Sequence, residues 1–258
     1  VAKEGDKDSA RAVELSLAFA VDRCADYWSS LAVWAGDFVA HTFGRQALGI
    51  IWDYAEVCGF AEGSGNYSGA VDWIRRVVER LAMKAASSAT VERASACEHP
   101  LPNDSAQAFV TDPPYYDAVP YADLADFFYV WLRRSVGHLY PSLFEEKGTP
   151  KKGEIVQLSE RNPIYAEKTR EYFEERMKQA MAEGRRVLEP SGIGIVVFAH
   201  KTTAGWETQL QAMIGAGWVV TASWPIDTER PGRLRANNSA ALASSVHLVC
   251  RPRENPSG

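Results

Sequence analysis

The residues Asp112-Pro113-Pro114-Tyr115 place a carboxylate, two rigid prolines and an aromatic ring within one short stretch. They follow residues 106–111, whose composition predicts a short buried strand, so the motif is expected at the carboxyl end of a strand. Open α/β sheets bind ligands at that end. The motif suits a planar ring that bears an amine. The carboxylate accepts a hydrogen bond from the amine, the prolines fix a backbone carbonyl, and the tyrosine stacks on the ring.

A tight turn is the alternative interpretation of the motif, because Asp-Pro and Pro-Pro pairs are ordinary loop signals. The surroundings favour the functional interpretation. A strand is predicted before the motif, and a helix rich in aromatic residues is predicted from Tyr121 onward.

The motif resembles the catalytic motif of amino-methyltransferases, enzymes that methylate exocyclic amines with S-adenosylmethionine. The longer run from Thr111 to Asp117, continued by residues 119–124, resembles large prokaryotic adenine-specific DNA methylases that carry an N-terminal domain of unknown function. The resemblance extends over most of the chain, since three further stretches share it: residues 41–47, residues 63–66, and the tail from 230–233 to 250–253.

The resemblance implies a role for each residue of the motif. The Asp112 carboxylate and the Pro113 carbonyl are expected to accept hydrogen bonds from the two amine hydrogens, Pro114 to fix the turn, and Tyr115 to stack on the base. Transfer of the methyl group from the sulfonium to the amine would then depend chiefly on positioning and electrostatics. Adenine in duplex DNA must first be flipped out of the helix. The implied activity is S-adenosylmethionine-dependent methylation of the exocyclic amine of adenine in DNA.

Further candidate substrate contacts lie beside the motif and near the end of the chain: Tyr116, Asp117, Arg230, Arg233 and Arg235. Tyr116 offers a second aromatic ring, with core packing as the alternative, and Asp117 could shape the mouth of the pocket. Arginines in a polar loop can hold phosphates and position a duplex. A solvated hairpin loop is the alternative for the three arginines.

The resemblance also implies a glycine-rich cofactor turn, roughly Phe-x-Gly-x-Gly, and no convincing copy is present. The glycine cluster of that general form supplies the candidate cofactor contacts Gly63, Gly65 and Asn66, with a plain structural turn as the alternative. In the family, the cofactor strand lies upstream of residues like these. The sequence therefore predicts the C-terminal catalytic part of a longer methylase, whose glycine-rich turn belongs to a missing N-terminal segment or to a partner chain.

Hydrophobic periodicity predicts the elements that position these residues. Residues 1–89 are predicted as a helical N-terminal region, with helices at 9–38 and 70–86, a loop at 63–69, and either helix or strand at 50–60. Residues 90–258 are predicted as the catalytic half of a methyltransferase domain, with helices at 121–136, 163–188 and 205–216 and strands at 91–94, 106–111, 192–200, 218–224 and 245–250.

The predicted fold class is α/β, with a mostly parallel sheet. By resemblance, the sheet is part of a Rossmann-like methyltransferase sheet that ends in an antiparallel closing hairpin.

Composition limits the function classes that remain. A net charge of −5 excludes a chain that coats nucleic acid indiscriminately, so DNA contact would come from local basic patches or from other parts of a longer protein. The four cysteines are far apart and the five histidines lack ligand spacing, which indicates reduced, buried thiols of a cytosolic protein and no zinc site. We find no signal peptide and no membrane-spanning run, and we therefore expect a cytoplasmic protein without a membrane partner.

A second hypothesis is a non-catalytic nucleic-acid-binding or scaffolding module that keeps the methylase half-fold. The missing glycine turn supports this hypothesis, and the intact Asp112–Tyr115 motif argues against it because binding alone does not need that geometry. Methylation of an RNA base or of a protein side-chain amide is an alternative within the enzymes. The aspartate at the first motif position favours adenine over cytosine.

Overall fold

The computed structural model of the 258-residue chain describes residues 4–44, 47–84, 87, 89–116, 119–199, 203–226 and 245–253. The chain divides into two compact units. The first comprises Val1–Thr90 and Tyr121–Glu154, and the second comprises Val91–Pro120 and Ile155–Gly258. One of these boundaries lies one residue after the division predicted at residue 89, which stays a prediction. Residues 121–154, however, were predicted for the catalytic half and belong to the first unit.

The described part of the first unit contains three α-helices and one short hairpin: α1 (Glu4–Trp28), β1 (Val33–Trp34), β2 (Val39–Ala40), α2 (Tyr67–Lys84) and α3 (Tyr121–Val136). Helix α1 packs against both α2 and α3. Small side chains let α1 and α2 approach closely, because Ala20 and Cys24 of α1 are buried against Ala70 of α2. An aromatic contact joins the segment after β2 to α3, because the ring centroids of Phe43 and Phe127 are 5.2 Å apart.

The predicted helix over residues 9–38 is too long. Helix α1 ends at Trp28, and the Ser29 hydroxyl accepts a hydrogen bond from the Leu31 N–H at 3.1 Å. The apolar residues that continued the helical spacing pair as β1 and β2, and Gly36 between these strands has a φ of +100°. A left-handed backbone conformation of this kind is incompatible with a continuing α-helix.

The segment 50–60 forms neither of the predicted elements. It is irregular apart from a single antiparallel bridge between Tyr54 and Val33. The helix predicted over residues 70–86 is confirmed as α2, which begins three residues earlier. The first part of its apolar side packs against α1 through Val71 and Ile74, but Val77, Val78 and Leu81 are exposed.

The described part of the second unit contains a four-stranded sheet of β3 (Ala106–Thr111), β4 (Leu188–Phe198), β5 (Trp218–Ile226) and β6 (Ser245–Pro252), with helices α4 (Arg170–Val187) and α5 (Thr203–Gly215). The strand order is β3-β4-β6-β5. Strands β3 and β4 are parallel, and β6 is antiparallel to both of its neighbours. Three of the four strands therefore run in one direction, which confirms the predicted α/β class with an antiparallel closing pair.

The core of the second unit lies between the sheet and helices α4 and α5. Trp218 is fully buried at the start of β5, and its indole N–H donates to the Met181 carbonyl at 2.9 Å. Phe109 of β3 packs against this indole, with 5.7 Å between the ring centroids. A side chain at Gly194 would collide with Trp218, because an added Cβ would lie 2.4 Å from the indole. The indole thus connects α4, β3 and β4.

The predicted strands at 218–224 and 245–250 are confirmed as β5 and β6, and the other three differ from the structure. Residues 91–94 form no strand. Strand β3 has the predicted bounds but is not buried, because it lies at an edge of the described sheet and Val110 is 67% exposed. Strand β4 begins four residues before the predicted strand and pairs on both of its edges.

The start of α4 differs from the prediction because two capping signals follow each other. Asn162 caps only a short 3₁₀ turn (Pro163–Tyr165), where its side chain accepts a hydrogen bond from the Ile164 N–H at 3.1 Å. The α-helix starts at Arg170, after the Thr169 hydroxyl caps it by accepting from the Tyr172 N–H at 3.2 Å. Helix α5 agrees with its prediction and ends before Gly217, which has a φ of +86°.

The cysteines are only partly buried. Cys24 and Cys250 are buried and Cys97 is intermediate, but Cys58 is exposed, so the prediction of a buried thiol is wrong at that position. In the part of the chain that the structure describes, no helix combines the length and the apolar character needed to cross a membrane.

Candidate functional site

The motif residues follow β3 directly, as predicted. The last residues of β3 are held by β4, where Val110 is opposite Ile195 and Thr111 is opposite Val196. Phe109 anchors the strand on its inner face, because its ring lies so close to Gly184 of α4 that an added Cβ there would be 2.5 Å away. Asp112 therefore begins at the carboxyl end of a strand that is fixed by both the sheet and a helix.

The segment that leads into β3 is held by an arginine of α4. The Arg186 guanidinium donates to the carbonyls of His99 and Leu101 at 2.8 and 3.0 Å, and to the Glu183 carboxylate at 2.9 Å. The same carboxylate accepts the His99 N–H at 2.9 Å. Hydrogen bonding from Arg186, followed by that from His99, lowers the pKa of Glu183 to about 2. This charge-assisted network ties the turn before β3 to α4.

The Asp112 side chain is exposed, whereas Pro113 behind it is buried. The Tyr115 hydroxyl donates to Asp112 Oδ1 at 2.5 Å, and no described residue donates a hydrogen bond to the other carboxylate oxygen of Asp112. The Tyr115 ring packs edge-on against Phe198 at the end of β4, with 5.7 Å between centroids. An exposed carboxylate thus lies beside a positioned aromatic ring, which is the pair of groups needed to hold an aromatic amine.

Tyr116 occupies a different environment. It is 8% exposed, and its ring stacks on Phe173 with 4.3 Å between centroids. Its hydroxyl donates to Glu174 Oε1 at 3.3 Å, and burial is the main cause that raises its pKa. Its φ of +48° is unusual for a residue with a side chain. The structure therefore places Tyr116 in the core of the second unit, and the substrate contact expected of it stays a prediction.

A cavity of about 190 Å³ opens beside the motif. The carboxylate of Asp112 and the two prolines form one side, and apolar groups such as Phe109 and Met177 form much of the rest. The volume is below the roughly 300–1,000 Å³ typical of small-molecule sites. The described residues alone therefore do not enclose a site that could hold both a base and S-adenosylmethionine.

The predicted site residues do not all lie together. Asp112 to Tyr115 are adjacent at the end of β3, but Asp117, Arg230, Arg233 and Arg235 lie outside the described residues. Gly63, Gly65 and Asn66 belong to the first unit, and they line a separate cavity of about 460 Å³. The Asn66 side chain caps α2, since its Oδ1 accepts the Gly69 N–H at 2.8 Å. The cofactor contacts expected of these three residues stay a prediction.

Several residues that line the larger cavity were missed in the sequence. Arg23, Tyr27, His41 and Trp73 all face it. Trp73 is 54% exposed. One local signal was available, because Arg23 and Tyr27 are four residues apart on a predicted helix and so lie on one face. The other two residues are brought to the cavity by the hairpin and by α2.

No protein-family model and no curated protein matches this chain. Solved structures that resemble it include a protein named as a DNA modification methylase from Thermus thermophilus, with 14% identity and a TM-score of 0.33, covering 62% of this chain and 51% of that protein. Another is the cyclase SpnF, with 12% identity and a TM-score of 0.30, covering 74% of this chain and 63% of SpnF. The chain thus spans between about half and under two thirds of these proteins. At such TM-scores neither likeness decides an activity or a ligand.

Proposed function

We propose that this chain supplies the base-binding and catalytic half of an S-adenosylmethionine-dependent methyltransferase that acts on the exocyclic amine of adenine in DNA. The observation that carries the proposal is the exposed Asp112 carboxylate at the carboxyl end of β3, followed by a buried proline and the positioned Tyr115 ring. The resemblance of the motif to amino-methyltransferases supports the assignment of the reaction. The aspartate at its first position favours adenine.

In this proposal the residues of the chain act by positioning. Asp112 accepts one amine hydrogen and the Pro113 carbonyl accepts the other, so that the lone pair of the nitrogen is directed away from the ring plane. Tyr115 stacks on the base, and its hydroxyl already orients the carboxylate by donating to Asp112 Oδ1 at 2.5 Å. Correct orientation of two reactants can lower a barrier by several kcal/mol. The cofactor supplies the methyl group.

We further propose that the cofactor half of the site comes from a segment or partner chain outside the described residues. The small cavity beside Asp112 supports this idea because it is too small for two ligands. The outer edge of β3 also supports it. The edge has no strand partner among the described residues, and β3 lacks the charged or proline residues that usually protect such an edge. An additional strand beside β3 would extend the wall of the pocket.

Two measurements test the proposal. The first follows transfer of a labelled methyl group from S-adenosylmethionine to adenine-containing DNA by the full-length protein. Asp112→Ala is expected to lower the rate at least about 100-fold, which is about 2.7 kcal/mol. Asp53→Ala, at an exposed aspartate of the first unit, is the matched control and should leave the rate unchanged. Equal activity of the two variants would exclude Asp112 as the amine acceptor.

The second measurement is calorimetric titration of this chain with S-adenosylmethionine and with S-adenosylhomocysteine. Absence of binding by a folded sample is expected if the cofactor half is supplied from elsewhere. Micromolar binding by this chain alone would contradict that part of the proposal, although it would leave the role of Asp112 intact.

The rival function is a nucleic-acid-binding or scaffolding module without catalysis. It predicts that Asp112→Ala leaves DNA binding nearly unchanged and that no methyl transfer occurs with any nucleic acid. The same transfer assay with RNA and with a peptide amide as acceptors distinguishes the other two substrate classes.

A further inference from the structure

The larger cavity in the first unit has features of a ligand site that differs in chemistry from the motif site. Its walls come from α1, the β1–β2 hairpin, the glycine loop at residues 63–66 and the first turns of α2. Its volume of about 460 Å³ lies within the range of small-molecule sites. Helices and short connecting segments of one compact unit form the whole lining.

An arginine is held in the wall of this cavity by two aromatic rings. The Arg23 guanidinium lies 5.6 Å from the centroid of Tyr27 and 5.1 Å from that of Trp73. Cation–π contacts of this kind fix the plane of the guanidinium without neutralising its charge. No carboxylate of a described residue forms an ion pair with Arg23, so its charge is available to a ligand.

The acidic residues near Arg23 are otherwise engaged. Asp26 contacts His41, with 3.1 Å between Oδ2 and Nδ1, and its Oδ1 accepts the Phe43 N–H at 3.1 Å. Asp72 pairs with two arginines of α2. Burial raises the pKa of Asp22 to about 7, so a large share of this carboxyl is neutral at neutral pH. Among the described residues that line the cavity there is no aspartate or glutamate, although the whole chain has a net charge of −5.

The glycine loop packs closely against α1. Gly65 has a φ of +78°, and an added Cβ would lie 2.6 Å from the Cβ of Tyr27. The Trp28 indole N–H donates to the Gly65 carbonyl at 2.9 Å, which fixes the loop against α1. The ring that stacks on Arg23 is therefore held in place by a glycine that no larger residue could replace without movement of the backbone.

We propose that this cavity binds a nucleotide, with its phosphate on Arg23 and its base against the aromatic rings of Tyr27 and Trp73. Arginine is suited to phosphate because its fixed N–H groups match the geometry of the phosphate oxygens. Aromatic rings stack on any base, whether the nucleotide is free or part of a single strand. The sulfonium and ammonium groups of S-adenosylmethionine would find no carboxylate among the described lining residues. The site does not depend on the function proposed for Asp112.

The test is calorimetric titration of the protein with AMP, adenosine, a short oligodeoxyadenylate and S-adenosylmethionine. AMP is expected to bind one to one, with adenosine at least about tenfold weaker because it lacks the phosphate. Arg23→Met should weaken AMP binding at least about tenfold, and Arg23→Lys should weaken it less, since lysine keeps the charge but loses the planar stacking. A preference for the oligonucleotide over AMP would identify single-stranded DNA as the source, and the reverse would identify a free nucleotide.

Arg80→Met provides the control, because Arg80 is an exposed arginine of α2 that does not line the cavity. Circular dichroism of each variant checks that it is folded. The proposal is overturned if folded protein does not bind AMP, if adenosine binds equally well, or if Arg23→Met and Arg80→Met have equal effects. Binding of S-adenosylmethionine that depends on Arg23, without binding of AMP, would also overturn it. Asp112→Ala should leave AMP binding unchanged, so this test and the methyl-transfer assay fail independently.

Discussion

The two candidate sites of this chain have opposite charge and different construction. The motif site presents the exposed Asp112 carboxylate beside a cavity of about 190 Å³, and the first unit presents the Arg23 guanidinium in a cavity of about 460 Å³. The first is suited to an amine and the second to an anion. Four consecutive residues carry the chemistry of the first, whereas α1, the hairpin, the loop and α2 together carry that of the second.

The comparison shows that a recognisable catalytic motif and a complete binding site are different things. The motif identifies a reaction, but the described residues around Asp112 enclose too little space for two ligands. The cavity of the first unit has space, aromatic walls and a guanidinium that pairs with no carboxylate of the described residues, but it has no recognisable motif. A motif can therefore mark the catalytic groups of a site whose remaining walls come from elsewhere.

The largest expected effect concerns one tryptophan in each unit. Trp218 is 0% exposed and Trp73 is 54% exposed. Trp218→Ala should destabilise the second unit by about 3–5 kcal/mol, because it removes the indole that connects α4, β3 and β4. Trp73→Ala should cost about 1 kcal/mol in the first unit, mostly through its contact with Arg23. Urea denaturation followed by circular dichroism measures both. Equal losses of stability would contradict the expectation that the buried Trp218 contributes more to its unit than the exposed Trp73 does.

A smaller loss of stability is expected in the glycine loop. Gly65→Ala combines a left-handed backbone with a collision against Tyr27, and it should cost about 2–4 kcal/mol. Gly36→Ala is the matched control, because Gly36 has a φ of +100° but nothing lies within 4 Å of an added Cβ. It should cost only about 1 kcal/mol. If both changes lower the free energy of unfolding equally, the close contact between Gly65 and Tyr27 does not fix the loop that lines the cavity.

Tyr115 allows the ring and the hydroxyl to be tested separately at the motif site. Tyr115→Ala should lower methyl transfer by about 10–100-fold, because stacking on a base contributes about 1–3 kcal/mol. Tyr115→Phe keeps the ring but removes the hydrogen bond to Asp112, and it should cost less than about fivefold. The transfer assay with the full-length protein measures both rates. Equal losses for the two variants would show that the hydroxyl, and not the ring, matters.

The sequence predicted the motif strand and the order of elements in the second unit because their signals are local. Residues 106–111 are bounded by turn residues before and by prolines after, and β3 has those bounds. The exposure of β3 could not be predicted, since the number of neighbouring strands is a property of the whole sheet. The start of α4 was missed because Asn162-Pro163 is a good capping signal, and only the structure shows that Thr169 begins the α-helix.

Gly63, Gly65 and Asn66 were candidate ligand contacts, but the rest of the cavity in the first unit could not be predicted. Its other lining residues are far apart in the chain and match no motif. Helical periodicity continued past Trp28 in the sequence, which hid the hairpin that carries His41 to the cavity. The apolar side of α2 indicated a buried face, and the exposure of Val77, Val78 and Leu81 contradicts it over the second half of the helix. Amphipathic patterns predict which side of a helix is apolar, but they do not predict what lies against it.

The smallest expected effect tests why Arg23 lacks a counter-charge. Burial raises the pKa of Asp22 from 3.8 to about 7, and Asp22 Oδ1 is buried without a hydrogen-bond partner among the described residues. Between about pH 4 and pH 7 the folded protein therefore binds more protons than the unfolded chain, so stability falls as pH rises. Asp22→Asn removes this dependence. Relative to the parent protein it should gain about 1 kcal/mol from pH 4 to pH 8, a figure that includes a discount because the side chain is partly exposed to solvent.

Asp53→Asn is the control for this change, since Asp53 is an exposed aspartate of the same unit. Thermal unfolding at a series of pH values measures both variants. A flat difference between Asp22→Asn and the parent protein would show that Asp22 is ionised throughout. Arg23 would then have a negative charge on the neighbouring residue, and the contrast in charge between the two sites would be weaker. A difference that grows up to about pH 7 and then levels off would instead support a cavity whose described lining carries a positive charge that no neighbouring carboxylate neutralises.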